Sequence, residues 1–517
     1  MAEVKYDIIV IGGGIAGLSC AAELAANGRR VLVLEKDIHV GGTGYIFRRG
    51  GYSFPMGPLA FSFPGLVRKF LFRVGIDEPL DFKRNHFQLI APGFDIVYSH
   101  PLKEVRDELK QTFVGEASGL DSFFIDLESA IAHAGDVHLW HPDYQLGGVG
   151  HPAKRNSHST QAKIGLIREL SRTPCRSLLE RHVSDPRLIN FLGSQGTSEP
   201  EMSVLNLAFM WNVISRVGIW YPSWGIHGLS DQLRHAILKR GGEVRLATAA
   251  GQIIIKKRRA EGVRTNKGEI LRADWVVSSA DYKRTFLELI AGDQMPAPFL
   301  DKIRKIPYTG SELCVYLGIN PGRVDFSRMR ASHLFYLQRE KAEADAKIDL
   351  EDFSRREVEI CRWSDNAPDH APAGRASLIL RVNFPYDHFS DFRTGEKKRT
   401  EGYKAFKMDL ASRLIRTVEN VLPGLASAVE LMEVATPLTY EDWGHRFRGS
   451  IAGWTWSADY ERVFGQKLLI LTPVENLLMV GVYAASELFL GGVPTAIRTA
   501  DLAAQAILSG GPRPVSS

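Results

Sequence analysis

The chain has 517 residues, 44% of them hydrophobic and 24% charged, the profile of an ordinary globular protein large enough to hold two or more structural units. Its 64 basic and 59 acidic side chains leave a net charge of only +5, too weak a field to imply a nucleic-acid partner, although a mildly basic patch facing anionic lipid stays compatible with it. Four widely spaced cysteines without a C-x-x-C pair give neither a disulfide framework nor a sequence-local metal site, and no apolar run reaches the roughly 18 uncharged residues of a membrane span.

The first element is a strand. Ile8, Ile9, Val10 and Ile11 are too few for a helix and rich in β-branched side chains, which predicts a strand buried on both faces. Its start by Tyr6 leaves little room for a signal peptide, so a cytoplasmic protein is expected, touching the inner face of a membrane at most. Three glycines end the strand, and Leu18, Ala21, Ala22 and Ala25 then recur at helical spacing, with Gly28 closing the helix. A second strand, RVLVLE, follows and ends at Glu35. Gly12, Gly14 and Gly17 thus form G-x-G-x-x-G between a strand and a helix, where absent side chains let backbone N–H groups and a helix N-terminus meet a pyrophosphate. Glu35 stands 18 residues beyond Gly17, about where a carboxylate accepts hydrogen bonds from an adenosine ribose, and an acid there disfavours a 2′-phosphate.

Beyond Glu35, KDIHVGGTGYIFRRGGYSFPMGP sets Gly41 and Gly42 before a short hairpin that leads to Met56, Gly57 and Pro58. Next, SFPGLVRKFLFRVGI places Phe63, Leu66, Val67, Phe70, Leu71 and Val74 on one helical face and Arg68, Lys69 and Arg73 toward the other. Such a helix suits either a membrane surface or the protein's own core. His133, His138 and His141 lie close together in sequence but lack the spacing of a ligand set, so no metal is expected. The polar, glycine-containing stretch 145–161 reads as a loop. SVLNLAFMWNVISRVGIWYP, residues 203–222, is apolar throughout and fits a core helix or the lining of a channel.

Taken in order, these segments resemble the two-dinucleotide-binding flavoproteins, and within them one family: phytoene desaturases, carotenoid isomerases and retinol saturases. The stretch after Glu35 resembles that group's paired-glycine and F-x-x-G-P segments. Residues 217–255 resemble the family's YP turn, its following helix and its return strand; residues 263–281 resemble its hairpin and the strand ending in S-x-A-D; VENLLMVGVYAASELFLGGVPTAIRTADLAAQAIL, residues 474–508, resembles the closing strand, loop and helix. Thr43 stands where the family often has arginine, Pro55 where it often has aspartate, and the usual T-H-P-G is replaced within YAASELFLGG, which carries Tyr483 and Glu487.

The resemblance implies an α/β two-dinucleotide-binding-domain flavoprotein, with a Rossmann-like FAD domain formed by residues 1–100, 221–300 and 440–517 and a discontinuous α+β substrate domain formed by 101–220 and 301–439. It implies noncovalent FAD held at Gly12, Gly14, Ala16 and Gly17; at Glu35 and Lys36; at Gly41, Gly42, Thr43, Met56, Gly57 and Pro58; at Ile253 on the return strand; and at Gly481, Gly492, Val493 and Pro494. The function implied is an FAD-dependent desaturase, saturase or isomerase of a long apolar isoprenoid, with oxygen or a quinone as the open choice of electron acceptor. Glu487 is the candidate proton-transfer group. Two other functions stay open on the same architecture: a carrier of prenylated or lipid ligands like the Rab GDP-dissociation inhibitors, and a flavin amine oxidase.

Overall fold

A computed structural model describes residues 5–135, 158–340, 349–453, 470–485 and 491–510. Glu487 with its neighbours Leu488, Phe489 and Leu490, the histidines 138 and 141, and residues 145–157 of the expected loop lie outside the described residues. The last residues of that stretch enter a helix, His158–Arg172.

The opening strand β1 (Lys5–Ile11), the helix α1 (Ile15–Ala26) and the strand β2 (Val31–Leu34) form where the sequence pattern puts them. All four β2 residues are buried, because strands of a parallel sheet are covered on both faces. β1 lies inside a seven-stranded sheet that runs Glu243–Arg245, β2, β1, Ile270–Ser278, Arg259–Thr265 and Ala250–Lys256. The strand Ile270–Ser278 is shared: its first half pairs antiparallel with Arg259–Thr265, and its second half pairs parallel with Leu477–Met479. Five parallel strands, Glu243–Arg245, β2, β1, Ile270–Ser278 and Leu477–Met479, therefore end along one edge, where the open α/β architecture leaves a crevice.

The helix Pro64–Arg73 has its apolar face turned inward, with Val67, Phe70 and Leu71 fully or almost fully buried in the core that contains β1. Two of its basic residues, Arg68 and Arg73, are also used within the molecule. Arg73 pairs with Glu23 of α1 at 3.0 Å and with Asp501 of the last helix, Gly492–Leu508, at 2.6 Å, and Arg68 donates to the Leu80 carbonyl at 2.9 Å. Of the two settings open to this helix, it occupies the protein's own core. No helix among the described residues is long and apolar enough to cross a membrane.

A second seven-stranded sheet runs Val429–Ala435, Ser311–Ile319, Ala376–Phe384, Val358–Arg362, His333–Tyr336, Phe87–Ala91 and Phe94–Val97. Phe87–Ala91 and Phe94–Val97, grouped at sequence level with the nucleotide unit, are hydrogen-bonded into this sheet through a parallel pairing with His333–Tyr336. A strand partner so distant in sequence leaves no local signal. Ser311–Ile319 is buried along its whole length and shows the two-residue period of a strand between two layers. Leu313, Val315 and Leu317 pack with Leu410, Leu414 and Val418 of the helix Tyr403–Glu419, whereas Cys314 and Tyr316 belong to the core that contains β1. Glu312 shares the second face.

A helical layer covers the far side. Within residues 203–222, the helix Val204–Asn212 gives Leu205, Leu207, Ala208 and Trp211 to its core, and Trp211 Nε1 donates to the Leu192 carbonyl at 2.7 Å. This segment is interior packing. All four cysteines are buried and free, and burial raises each thiol above its ordinary range.

Candidate functional site

The site begins where β1 stops. Gly12 adopts φ +98°, and a β-carbon there would lie 2.5 Å from Ser279 Oγ, so two constraints exclude a side chain. A β-carbon on Gly17 would stand 2.0 Å from the Gly12 carbonyl oxygen; glycine is what lets α1 approach the end of β1. Gly14 differs: its backbone is extended, and nothing lies within 4 Å of its would-be β-carbon. It is the N-cap of α1 and supplies no side-chain acceptor, so the first-turn amides of that helix keep donor capacity.

Glu35 follows β2 and folds over the glycine turn. Its Oε2 accepts from Gly13 N–H at 2.6 Å and its Oε1 from Asp37 N–H at 2.9 Å. Burial pushes its carboxyl above the usual range, against those two backbone donors, which favour the charged form.

Two further glycine turns complete the cradle. Gly41 and Gly42 have φ of +112° and +54°, and Gly41 N–H donates to the Gly13 carbonyl at 2.8 Å. A hairpin, Ile46–Arg49 with Tyr52–Pro55, then delivers Met56, Gly57 and Pro58; a β-carbon on Gly57 would be 2.7 Å from the Thr43 carbonyl. After Leu477–Met479, Gly481 turns at φ +95° and donates its N–H to Thr499 Oγ1 at 2.8 Å, tying the turn to the last helix. That helix opens behind Gly491 without a side-chain cap, and Gly492 has open space where a β-carbon would be. Two uncapped helix N-termini thus face one cavity.

The cavity measures about 960 Å³. Gly12, Gly14 and Ala16 line it from the first turn, Glu35 and Lys36 from the end of β2, Gly41, Gly42, Thr43, Met56, Gly57 and Pro58 from the second turn and hairpin, and Gly481, Gly492 and Val493 from the closing segment. Three expected contacts are elsewhere. Gly17 packs helix on strand, Pro494 is buried inside the first turn of the last helix, and Ile253 is fully buried while Ala249 and Ala250 reach the wall.

The opposite wall comes from the second sheet and the helix Pro437–Gly444, and sequence reasoning did not single it out. It includes Glu312, Arg381 and Tyr440, with Asp281 and Arg446 beside them. Tyr440 O–H donates to Glu312 Oε1 at 2.5 Å. Arg381 directs Nε and Nη2 to Glu359 Oε2 at 3.0 and 2.6 Å, and His333 Nδ1 meets Glu359 Oε1 at 3.1 Å. Burial alone would raise the Glu359 carboxyl, but Arg381 and His333 hold it well below the usual range. Burial, with Cys314 and Glu312 close by, holds the Tyr440 phenol protonated far above its ordinary pKa. Tyr483 is buried, its phenol pushed up to about 12 and hydrogen-bonded with Ser450 Oγ at 3.2 Å. Among the described residues no cluster of His, Cys, Asp and Glu could hold a metal ion.

Residues 10–72 match the family described as NAD(P)-binding Rossmann-like domain. The chain is 27% identical over 471 residues to the prolycopene isomerase of Arabidopsis thaliana, covering 87% of this chain and 74% of that protein. It is 24% identical over 452 residues to a 1-hydroxycarotenoid 3,4-desaturase of a Flavobacterium, covering 86% and 88%. Among solved structures, cyclohexylamine oxidase from Brevibacterium oxydans superposes with a TM-score of 0.59 at 15% identity over 97% of this chain and 99% of that one, a likeness of fold. These matches bear out the resemblance read from the motifs: the chain is a relative of the carotenoid isomerases and desaturases on a two-unit α/β flavoprotein fold.

Proposed function

We propose that the protein is an FAD-dependent oxidoreductase of the phytoene desaturase kind, acting as a desaturase, saturase or isomerase on a long apolar isoprenoid such as a carotenoid or its precursor. The observation that carries this reading is the convergence of two uncapped helix N-termini, three glycine turns and a buried glutamate on one cavity. The open space at Gly14 and Gly492 fits a bound dinucleotide, since a side chain at either position would enter the cavity.

On this reading the first-turn amides of α1 would take the pyrophosphate and Glu35 the ribose hydroxyls. The N-terminus of Gly492–Leu508 would set a partial positive charge at the electron-rich edge of the flavin. Bound noncovalently, FAD would supply hydride acceptance for desaturation or hydride return for saturation. The chain's own part is to bind, orient and exclude water. Glu487, between the Gly481 turn and the last helix, is the carboxylate we assign to proton exchange with the substrate. Electrons released in a desaturation would pass to oxygen or a quinone. Collecting a water-insoluble substrate calls for contact with lipid, which we take to be peripheral.

The test has two stages. Purified protein should be yellow, with flavin released by acid precipitation as a noncovalent ligand is. A colourless protein that takes up no FAD would favour the carrier function. Expression in cells that accumulate different carotenoid precursors should then yield a changed pigment; unchanged pigments in every background, from a flavin-loaded protein, would remove the isoprenoid assignment.

A further inference from the structure

The hairpin that joins Ala250–Lys256 to Arg259–Thr265 breaks the usual chemistry of its own turn. Lys256 pairs with Arg259, so the loop is only Lys257 and Arg258. Their φ angles are +49° and +65°. Two left-handed residues in a two-residue loop make the type I′ turn, which favours Asn-Gly because those residues tolerate positive φ. Lysine and arginine are strained there.

What the strained turn displays is charge. Lys256, Lys257, Arg258 and Arg259 are all exposed. Arg259 pairs with Glu475 at 2.9 Å, and the neighbouring acid Glu261 pairs with Arg272 at 3.4 Å. Among the described residues, Lys256, Lys257 and Arg258 have no ion-pair partner. The base of the tip is anchored: the Arg258 carbonyl accepts from Glu475 N–H at 2.9 Å, and Ala260 N–H donates to the Glu475 carbonyl at 2.9 Å. Ala250–Lys256 is an edge strand, where a lysine deters pairing with a second chain. That role accounts for Lys256 but not for cations at both left-handed positions of the turn.

The partner of such a tip is anionic, and the small size of the patch selects its kind. A nucleic acid held by charge engages roughly 6–10 phosphates, more than this tip can reach. An acidic protein would have to fix its carboxylates in register with a two-residue turn. A fluid bilayer has neither requirement, because its anionic headgroups can gather beneath a compact cationic point.

We propose that the hairpin docks the protein on an anionic lipid surface through Lys256, Lys257 and Arg258. The choice of lipid rests on the isoprenoid reading above, which calls for such contact and assigns it no surface. Ala250 lines the cavity, and six strand steps of about 3.3 Å set the tip about 20 Å from it. The hairpin is therefore a tether, not the substrate's way in.

The test is co-flotation of the flavin-loaded full chain with vesicles of phosphatidylcholine, alone or mixed with phosphatidylglycerol, at about 0.1 M salt. Only the mixed vesicles should carry the protein, and about 1 M salt, with a Debye length of ~3 Å, should release it. Lys257→Asn combined with Arg258→Gly removes two charges and gives the turn the residues it favours, so this variant should keep FAD and melt no earlier than the parent. Its partition onto the mixed vesicles should fall about 30-fold, about fivefold for each lost cation. Lys257→Gln combined with Arg258→Gln keeps the strain, loses the same charge and should fall equally. Equal flotation of the parent with both kinds of vesicle, or with neither, overturns the proposal. Undiminished binding by the first double variant overturns the assignment to the tip, and a loss confined to that variant would trace binding to turn shape and overturn the role of charge. A flavin-loaded protein that does not float yet changes pigments in cells overturns the docking and leaves the oxidoreductase reading standing. A protein that takes up no flavin but floats in the expected pattern supports the docking and overturns that reading.

Discussion

Gly14→Val separates the cradle's role in binding from its role in folding. The backbone at Gly14 has φ −73° and ψ 172°, a conformation open to any residue, and no atom lies within 4 Å of the position a β-carbon would take. The folded chain should therefore tolerate the substitution, with a loss near the ~1 kcal/mol scale of an altered N-cap. The valine methyl groups would instead occupy cavity space in front of the first-turn amides of α1. Losing two charge-assisted hydrogen bonds to a pyrophosphate, at about 1.5–3 kcal/mol each, would weaken FAD binding by roughly 10²–10⁴-fold. Gly17→Ala should behave oppositely, because its β-carbon would sit 2.0 Å from the Gly12 carbonyl oxygen and force α1 away from β1. Visible absorbance per mole of purified protein reads the first effect, and thermal melting of the flavin-stripped proteins reads the second. Stoichiometric flavin in Gly14→Val would refute the placement of the pyrophosphate. A flavin-stripped Gly14→Val that melts as early as Gly17→Ala would refute the steric argument.

Further outcomes are expected elsewhere. Glu35→Gln replaces one acceptor oxygen by an amide nitrogen, leaving the Gly13 or Asp37 N–H unanswered; it should cost about 1–3 kcal/mol of stability and loosen FAD, and unchanged melting and titration would contradict the pairing. Burial, with Lys36 and Arg284 nearby, lowers His445 from an ordinary 6.5 to about 4, so the unfolded chain takes up its proton first as pH falls and the stability tied to its neutral form is lost between those values. His445→Asn, which tolerates the φ of +49° at that position, should flatten the fall in melting temperature between about pH 6.5 and 5; an identical slope in both proteins would remove His445 from the account. Glu487→Gln should retain FAD and substrate but slow turnover by about 10²-fold, whereas turnover within a few-fold of the parent would leave proton exchange to another group.

The first part of the glycine cradle was legible in the sequence because it is local: a strand, a turn and a helix fall within one short stretch, where Gly17 answers the close approach of the Gly12 carbonyl. Ile253 shows where that reading stops. The return strand was recognised, but which of its residues faces the cavity depends on strand parity and on the irregular register near Ala250, which no motif records. Glu312, Arg381 and Tyr440 were out of reach for a different reason. They come from Ser311–Ile319, Ala376–Phe384 and Pro437–Gly444, and only the antiparallel pairing of the first two, with Cys314 opposite Arg381, brings them to one wall. The amphipathic helix Pro64–Arg73 was recognised as such, but a hydrophobic face does not name its partner, and Arg73 proved to bridge Glu23 and Asp501.

The shared strand Ile270–Ser278 has a consequence for how the protein is made. Its second half stays without a partner on one side until Leu477–Met479 has been synthesised, and α1 waits still longer for Gly492–Leu508 to pack against it. A chain emerging from the ribosome thus displays the first glycine turn early but cannot close the cavity around it until Gly492–Leu508 has emerged. Contacts so distant along the chain are slow to form, which makes the interval between release and closure the time when an exposed sheet edge is most open to chaperones, proteases or aggregation. A ligand of that cavity arriving then would favour the closed form and so shorten the exposed interval.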